Sequence, residues 1–168
     1  MEKPTDDNWS LISVRGSGNL TITGNGTFAA KVNDCYAVDV QGGATVTIKN
    51  GTFIGNVHAV YVLTGTANVE GGTYSVQQKY PDPAKADEFV LNCYDANRAN
   101  GTAHINVTGG TFKNFNPADN KAEGEGNNFA DNSLVVQKNN TVQNNDYYVG
   151  NAANEVIAAA PKIGRAHV

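Results

Sequence analysis

Short stretches of alternating apolar and polar residues recur along the first two thirds of the chain. They cover residues 20–28, 46–53, 67–74 and 105–112, and each ends in Gly-Thr followed by Phe or Tyr. A period of two is typical of a β-strand with one buried face. The Gly and Asn residues before each Thr favour a sharp turn, because they tolerate positive φ. We therefore predict a strand, a turn and an aromatic residue in every repeat.

A second alternating strand follows each of the first three aromatic residues, at 38–40, 60–62 and 91–93. If the repeats lie above one another, equivalent side chains form columns that fill the interior. The predicted columns are Val38, Val60 and Leu91; Val40, Val62 and Cys93; and an aromatic stack of Phe28, Phe53, Tyr74 and Phe112.

Repetition at this spacing predicts an all-β fold, a right-handed parallel β-helix (solenoid) of about four coils with a C-terminal β-hairpin cap. The aromatic residues are separated by roughly 25, 21 and 38 positions, in the range expected for repeats that bury their apolar face only by stacking. A β-sandwich also has short alternating strands. It does not explain why the same residues return at the same place in each unit.

The repeat pattern divides the chain into segments. Residues 79–88 are charged and contain two prolines, which predicts a loop that leaves the third repeat. After Phe112 the repeat stops, and the apolar runs at 134–136 and 147–149 predict a hairpin that covers the open end. The predicted division is an N-terminal partial coil or cap at 1–15, coils at 16–113, and a capping segment at 114–149.

The remaining residues, 150–168, are expected to be a disordered tail. Residues 163–168, Ile-Gly-Arg-Ala-His-Val, correspond to one reading frame of a common sequencing adapter. We interpret them as an artefact of an assembled environmental read and exclude them from the fold.

Composition excludes several kinds of function. A net charge of -4 with scattered Lys and Arg argues against nucleic-acid binding, and neither a membrane-spanning run nor a signal peptide is recognisable in this chain. His58, His104 and His167 are isolated and neither Cys has a partner at zinc-like spacing, so we expect no metal and no cofactor. Cys35 and Cys93 lie in different repeats, which predicts two free thiols.

A resemblance to a known kind of protein covers most of the chain, from about Leu11 to Val149. Its motifs are 91–95 (Leu-Asn-Cys-Tyr-Asp), 109–112 (Gly-Gly-Thr-Phe), 115–120 (Phe-Asn-Pro-Ala-Asp-Asn) with 122–124, and the hairpin ending at Val149. Together they resemble uncharacterised right-handed β-helical, pectin-lyase-like repeat proteins of gut bacteriophages, prophages and their bacterial hosts. The resemblance implies a virion or cell-surface context and transfers no functional residue.

Three classes of function fit these observations. The first is a non-enzymatic structural or adhesive module that contacts other virion or surface proteins, with oligomerisation compatible with that context. The second is binding of a host surface glycan through an outward row of Asp39, Tyr61 and Asn92, since sugars stack on exposed aromatic rings; the alternative is that Tyr61 merely suits a strand. The third is a polysaccharide lyase or glycoside hydrolase. Hydrolysis needs two nearby carboxylates, and Asp39 and Asp95 would approach each other only if their coils and faces coincide. We predict no catalytic residue.

Overall fold

Strands account for about half of the described residues. The computed structural model describes residues 10–31, 34–78, 89–120, 128–138 and 145–159. The strands are β1 (Ser10–Val14), β2 (Asn19–Ile22), β3 (Thr27–Ala29), β4 (Tyr36–Val40), β5 (Ala44–Ile48), β6 (Thr52–Gly55), β7 (His58–Val62), β8 (Gly65–Val69), β9 (Thr73–Val76), β10 (Leu91–Cys93), β11 (Ala103–Val107), β12 (Gly110–Lys113), β13 (Val135–Lys138) and β14 (Asp146–Val149). Two α-helices, α1 (Asp95–Ala99) and α2 (Asn151–Ala159), and a 3₁₀ turn at Asn132–Leu134 complete the described elements.

Consecutive strands go to three different sheets in a fixed rotation. The first sheet has the order β1-β4-β7-β10, the second β2-β5-β8-β11, and the third β3-β6-β9-β12-β14-β13. We call each set of three consecutive strands from β1 to β12 a unit; each of the four units adds one strand to every sheet. All pairs between units are parallel. The predicted all-β fold with parallel sheets is therefore confirmed.

The register between units puts like side chains beside like. In the first sheet Val38 is paired with Val60 and Val60 with Leu91, and the neighbouring column joins Val40, Val62 and Cys93. All six side chains are buried, so both predicted columns are confirmed. Each column hides apolar surface that a single unit would leave in water, at roughly 25 cal/mol per Å².

The aromatic residues form the predicted stack along the third sheet. Successive ring centroids of Phe28, Phe53, Tyr74 and Phe112 lie 5.1, 5.4 and 5.0 Å apart, with planes tilted by 13°, 11° and 10°. Tyr74 keeps its hydroxyl satisfied by donating a hydrogen bond to the Gly71 carbonyl oxygen at 2.6 Å. Phe28, at the open end of the stack, is only half-buried.

Glycine makes the corner between the second and third sheets. Gly51 has φ +121°, and a Cβ at this position would lie 3.1 Å from the Phe53 ring. In the first unit the positive φ falls instead on Gly24, at +90°, because this turn contains one residue more. A second set of contacts fixes the same corner, where Asn50 Nδ2 donates to Asn25 Oδ1 at 2.7 Å.

The third sheet changes direction after the fourth unit. β14 pairs antiparallel with β12, and β13 pairs antiparallel with β14. These are the two strands expected after the repeat. The loop expected at 79–88 and the N-terminal residues 1–9 lie outside the described residues, whereas Ser10–Val14 forms β1 and pairs with β4.

The expectation of a disordered tail is wrong for residues 151–159, which form α2. The segment is rich in Ala, the residue with the highest helix propensity, and Gly150 precedes it at φ +64°. Ala153 is buried and the helix packs against β14. Residues 160–168, with the adapter-like sequence, are outside the described part.

Truncation of the stack should cost stability according to position. We expect Phe53→Ala, in the fully buried middle, to lower the free energy of unfolding by about 3–5 kcal/mol. Phe28→Ala should cost clearly less, since half of that ring already faces solvent. Urea unfolding followed by circular dichroism measures both; equal losses would contradict the stack as a core element.

Candidate functional site

The row Asp39, Tyr61 and Asn92 is aligned as predicted but is not the exposed strip that was expected. Asp39 is paired with Tyr61, and Tyr61 with Asn92, across β4, β7 and β10. However, Asp39 is only 2% exposed and Asn92 0% exposed, and Tyr61 is half-buried. The prediction of an outward, solvent-facing row is wrong for the two polar residues, because the outer side of the first sheet is covered.

Asp39 is a buried carboxyl with incomplete hydrogen bonding. Gln41 Nε2 donates to its Oδ2 at 2.7 Å, and the Ser13 hydroxyl lies 3.5 Å from the same oxygen. Oδ1 has no hydrogen-bond partner among the described residues. Burial raises the pKa of Asp39, although the hydrogen bond from Gln41 and the charge of Arg15 oppose the shift. This environment suits a scaffold carboxyl better than a ligand-binding one.

An aromatic cluster surrounds Tyr61, and sequence analysis did not find it. The His58 ring stacks on Tyr61 at 5.2 Å and lies 4.8 Å from Tyr36, while Phe89 approaches His58 edge-on at 5.8 Å. His58 Nδ1 is 2.8 Å from the Phe89 carbonyl oxygen, so Nδ1 carries the proton in this bond. Burial lowers the pKa of His58 to about 4. The sequence did contain one signal for this cluster, since Tyr36 and His58 are the first residues of equivalent strands.

The outer face of the second sheet is the most regular polar surface of the described chain. Since apolar residues at alternate positions point inward, the others point out. They form two columns in register, Asn19, Thr45, Thr66 and His104 beside Thr21, Thr47, Asn68 and Asn106. All eight are exposed or half-exposed. Asn106 Nδ2 donates to Asn68 Oδ1 at 3.0 Å, which fixes both amides.

A polar cavity of about 190 Å³ lies at the last strand of this sheet. It is bounded by Cys93 at the end of β10, by Arg98 of α1, by β11, and by Asn128 and Phe129. Phe129 is held here by two backbone bonds: its oxygen accepts from the Val107 amide and its amide donates to the Pro117 oxygen, both at 2.8 Å.

Helix α1 places Arg98 at this cavity, and the sequence pattern did not predict the helix. Its first turn carries Asp95 and its last turn Arg98, a favourable order for the helix dipole. Arg98 Nη2 is 3.1 Å from Asp95 Oδ1. Arg98 Nε is buried and has no hydrogen-bond partner among the described residues.

The two cysteines are free thiols, as expected. Cys93 is buried, and burial raises its pKa to about 12, with the Arg98 charge acting in the opposite direction. At neutral pH this thiol is protonated, so it behaves as a small apolar side chain rather than a nucleophile.

Two further searches of the described residues are negative. No three His, Cys, Asp or Glu side chains within this part of the chain are placed to share a metal ion. None of its helices is both long enough and apolar enough to cross a membrane.

Comparison with protein-family models, with curated proteins and with solved structures gives no match. The surfaces of the chain itself therefore carry the functional proposal.

Titration of His58 should make the protein sensitive to mild acid. The folded pKa lies below the ordinary value, so the native state binds fewer protons than the unfolded state between pH 6.5 and about 4. Stability should fall as the pH falls through this window, by roughly 3 kcal/mol for a shift of this size. We expect His58→Asn to flatten the dependence in urea titrations, while the exposed His104→Asn does not. A His58→Asn variant with the wild-type slope would contradict the assignment.

Titration of Asp39 should give stability a pH dependence opposite to that of His58. Because its folded pKa is raised, its protonated form is favoured in the native state, and stability is lost as the pH rises through the folded pKa. Asp39→Asn still accepts the Gln41 hydrogen bond through Oδ1. We expect it to exceed the wild type in free energy of unfolding at pH 7 and to match it near pH 3. The exposed Glu70→Gln is the control, and a loss of stability in Asp39→Asn at pH 7 would refute the argument.

Proposed function

We propose that the chain is a right-handed parallel β-helix that serves as a non-enzymatic structural or adhesive module. The rotation of consecutive strands through three sheets supports the β-helix, since crossover connections between parallel strands are right-handed in nearly all proteins. The motifs at 91–95 and 115–120 add the virion or cell-surface context to the proposal.

The outer face of the second sheet carries the adhesive part of the proposal. Its two columns present hydroxyl and amide groups at about 4.8 Å intervals along the stack, and none of the eight side chains is Asp, Glu, Lys or Arg. A rigid, regular and largely uncharged set of donors and acceptors complements a polar polymer, because little side-chain entropy is lost on contact. A host surface glycan has this chemistry.

The carboxylates considered for polysaccharide cleavage favour the non-enzymatic reading. Hydrolysis needs one carboxyl to donate a proton and another to act as nucleophile or base. Asp39 is buried and bound by Gln41, and Asp95 is paired with Arg98 on the surface of α1. Both side chains are engaged within the scaffold.

The adhesive face is tested by removing hydroxyl groups without changing shape. We expect the double variant Thr45→Val, Thr47→Val to weaken binding to surface glycans at least tenfold in a glycan array followed by calorimetry on the best binder. Val is close in size to Thr and suits a strand, so the fold should be retained.

The matched control is Thr52→Val, Thr73→Val, which removes two aligned hydroxyls from the third sheet instead. Tyr61→Ala tests the alternative row. If binding is lost in either of these variants but kept in Thr45→Val, Thr47→Val, the binding site is not on the second sheet. A glycan array without any binder would refute adhesion to glycans. Turnover of pectin, alginate or capsule, measured as new reducing ends or unsaturated products, would refute the non-enzymatic reading.

A further inference from the structure

The cavity beside β11 contains donors that the protein itself does not satisfy. Arg98 Nε is buried without a hydrogen-bond partner among the described residues. Leaving a buried donor of a charged group unpaired costs more than the hydrogen bond itself is worth. The other side of the guanidinium group meets Asp95, but that contact is exposed, and such pairs contribute little. An acceptor inside the cavity would remove the imbalance.

The edge of β11 that faces away from β8 supplies further donors. Thr108 N–H donates to Val69 O of β8, and Val107 N–H donates in the opposite direction to Phe129 O. Backbone groups of a strand alternate between its two edges, so the amides of Ala103 and Ile105 point away from β8, like that of Val107. Both residues line the cavity. Two backbone N–H groups and one guanidinium N–H therefore belong to residues that line the same space.

We propose that this cavity binds a small carboxylate. Of the described lining residues only Arg98 is a Lys or Arg, and the Asp95 carboxylate 3.1 Å away already offsets part of its charge, so the site has too little positive charge for doubly charged phosphate. Guanidinium and backbone N–H groups form short, charge-assisted hydrogen bonds to carboxylate oxygens. The volume of about 190 Å³ exceeds that of a cavity that holds benzene, so a body of several atoms fits behind the charged group.

The remaining lining residues define the rest of the ligand. Phe129, Ile105 and Cys93 are apolar residues of this lining, and His104, Asn106 and Asn128 are its uncharged polar residues. The protonated Cys93 thiol adds no competing negative charge. A short hydroxy acid, with one carboxylate and a small polar body, matches this combination. The proposal does not depend on adhesion by the second sheet.

The test uses lactate and its neutral isostere lactamide on the full, ¹⁵N-labelled chain at constant ionic strength. We expect lactate to shift the Arg98 Nε–H resonance and the Ala103 and Ile105 amides in a saturable way below 100 mM, taken as roughly the weak end of specific binding. Lactamide should not. Equal shifts with both compounds, or shifts with lactate that stay linear, would overturn the proposal, and this comparison needs no variant.

Variants then test whether Arg98 supplies the positive charge that binds lactate. Arg98→Gln should weaken lactate binding at least tenfold, and Arg98→Lys should restore part of it, while Arg15→Gln, at an arginine on the opposite end of the first sheet, should have no effect. Retention of wild-type affinity in Arg98→Gln would refute the role of the guanidinium. The last measurement uses sulfate. Tighter binding of sulfate than of lactate would overturn the choice of a carboxylate and indicate a general oxyanion site.

Discussion

In-register parallel pairing between units is the constraint on which the rest of the structure depends. One unit has only three to five residues in each strand and cannot bury its own apolar side chains. Its burial comes from the unit above and the unit below, through columns such as Val38, Val60 and Leu91 and through the aromatic stack. A shift of one residue would turn every column inside out. The stability of this fold therefore depends on keeping the register between units.

The sequence predicted which side chains stack between units but not what packs against the outer face of the first sheet. The strands, the two columns and the aromatic stack follow from the alternating pattern and from the spacing of the repeats, because each unit has similar residues at equivalent positions. The exposure of Asp39 and Asn92 was mispredicted, since periodicity assigns a side chain to a face but does not say what covers that face. For the same reason, the packing of His58 against Tyr61 and Phe89 could not be predicted from the sequence.

Polar side chains have different environments on the first and second sheets. On the first sheet Asp39 and His58 are taken out of water and shifted toward their neutral forms. On the second, Thr and Asn side chains stay at the surface in two regular columns. Helix α1 interrupts the fourth unit between these sheets and brings Arg98 to the cavity. The repeat thus supplies the regular polar face, and the departure from it at α1 supplies the cavity. The cavity at Arg98 could not be read from the sequence, since it depends on α1 and on Phe129, which lie outside the aligned units.

The antiparallel strand β14 has a consequence for how such a chain can lengthen. It covers β12 with Tyr147 opposite Phe112, and its reversed direction ends the parallel order of the third sheet. A fifth unit placed after β14 would find no parallel strand to continue. Duplication of a segment can extend this architecture between existing units, where each new copy meets matching columns on both sides, or at the opposite end, beside β1, β2 and β3. The end that β14 covers is inherited unchanged in either case.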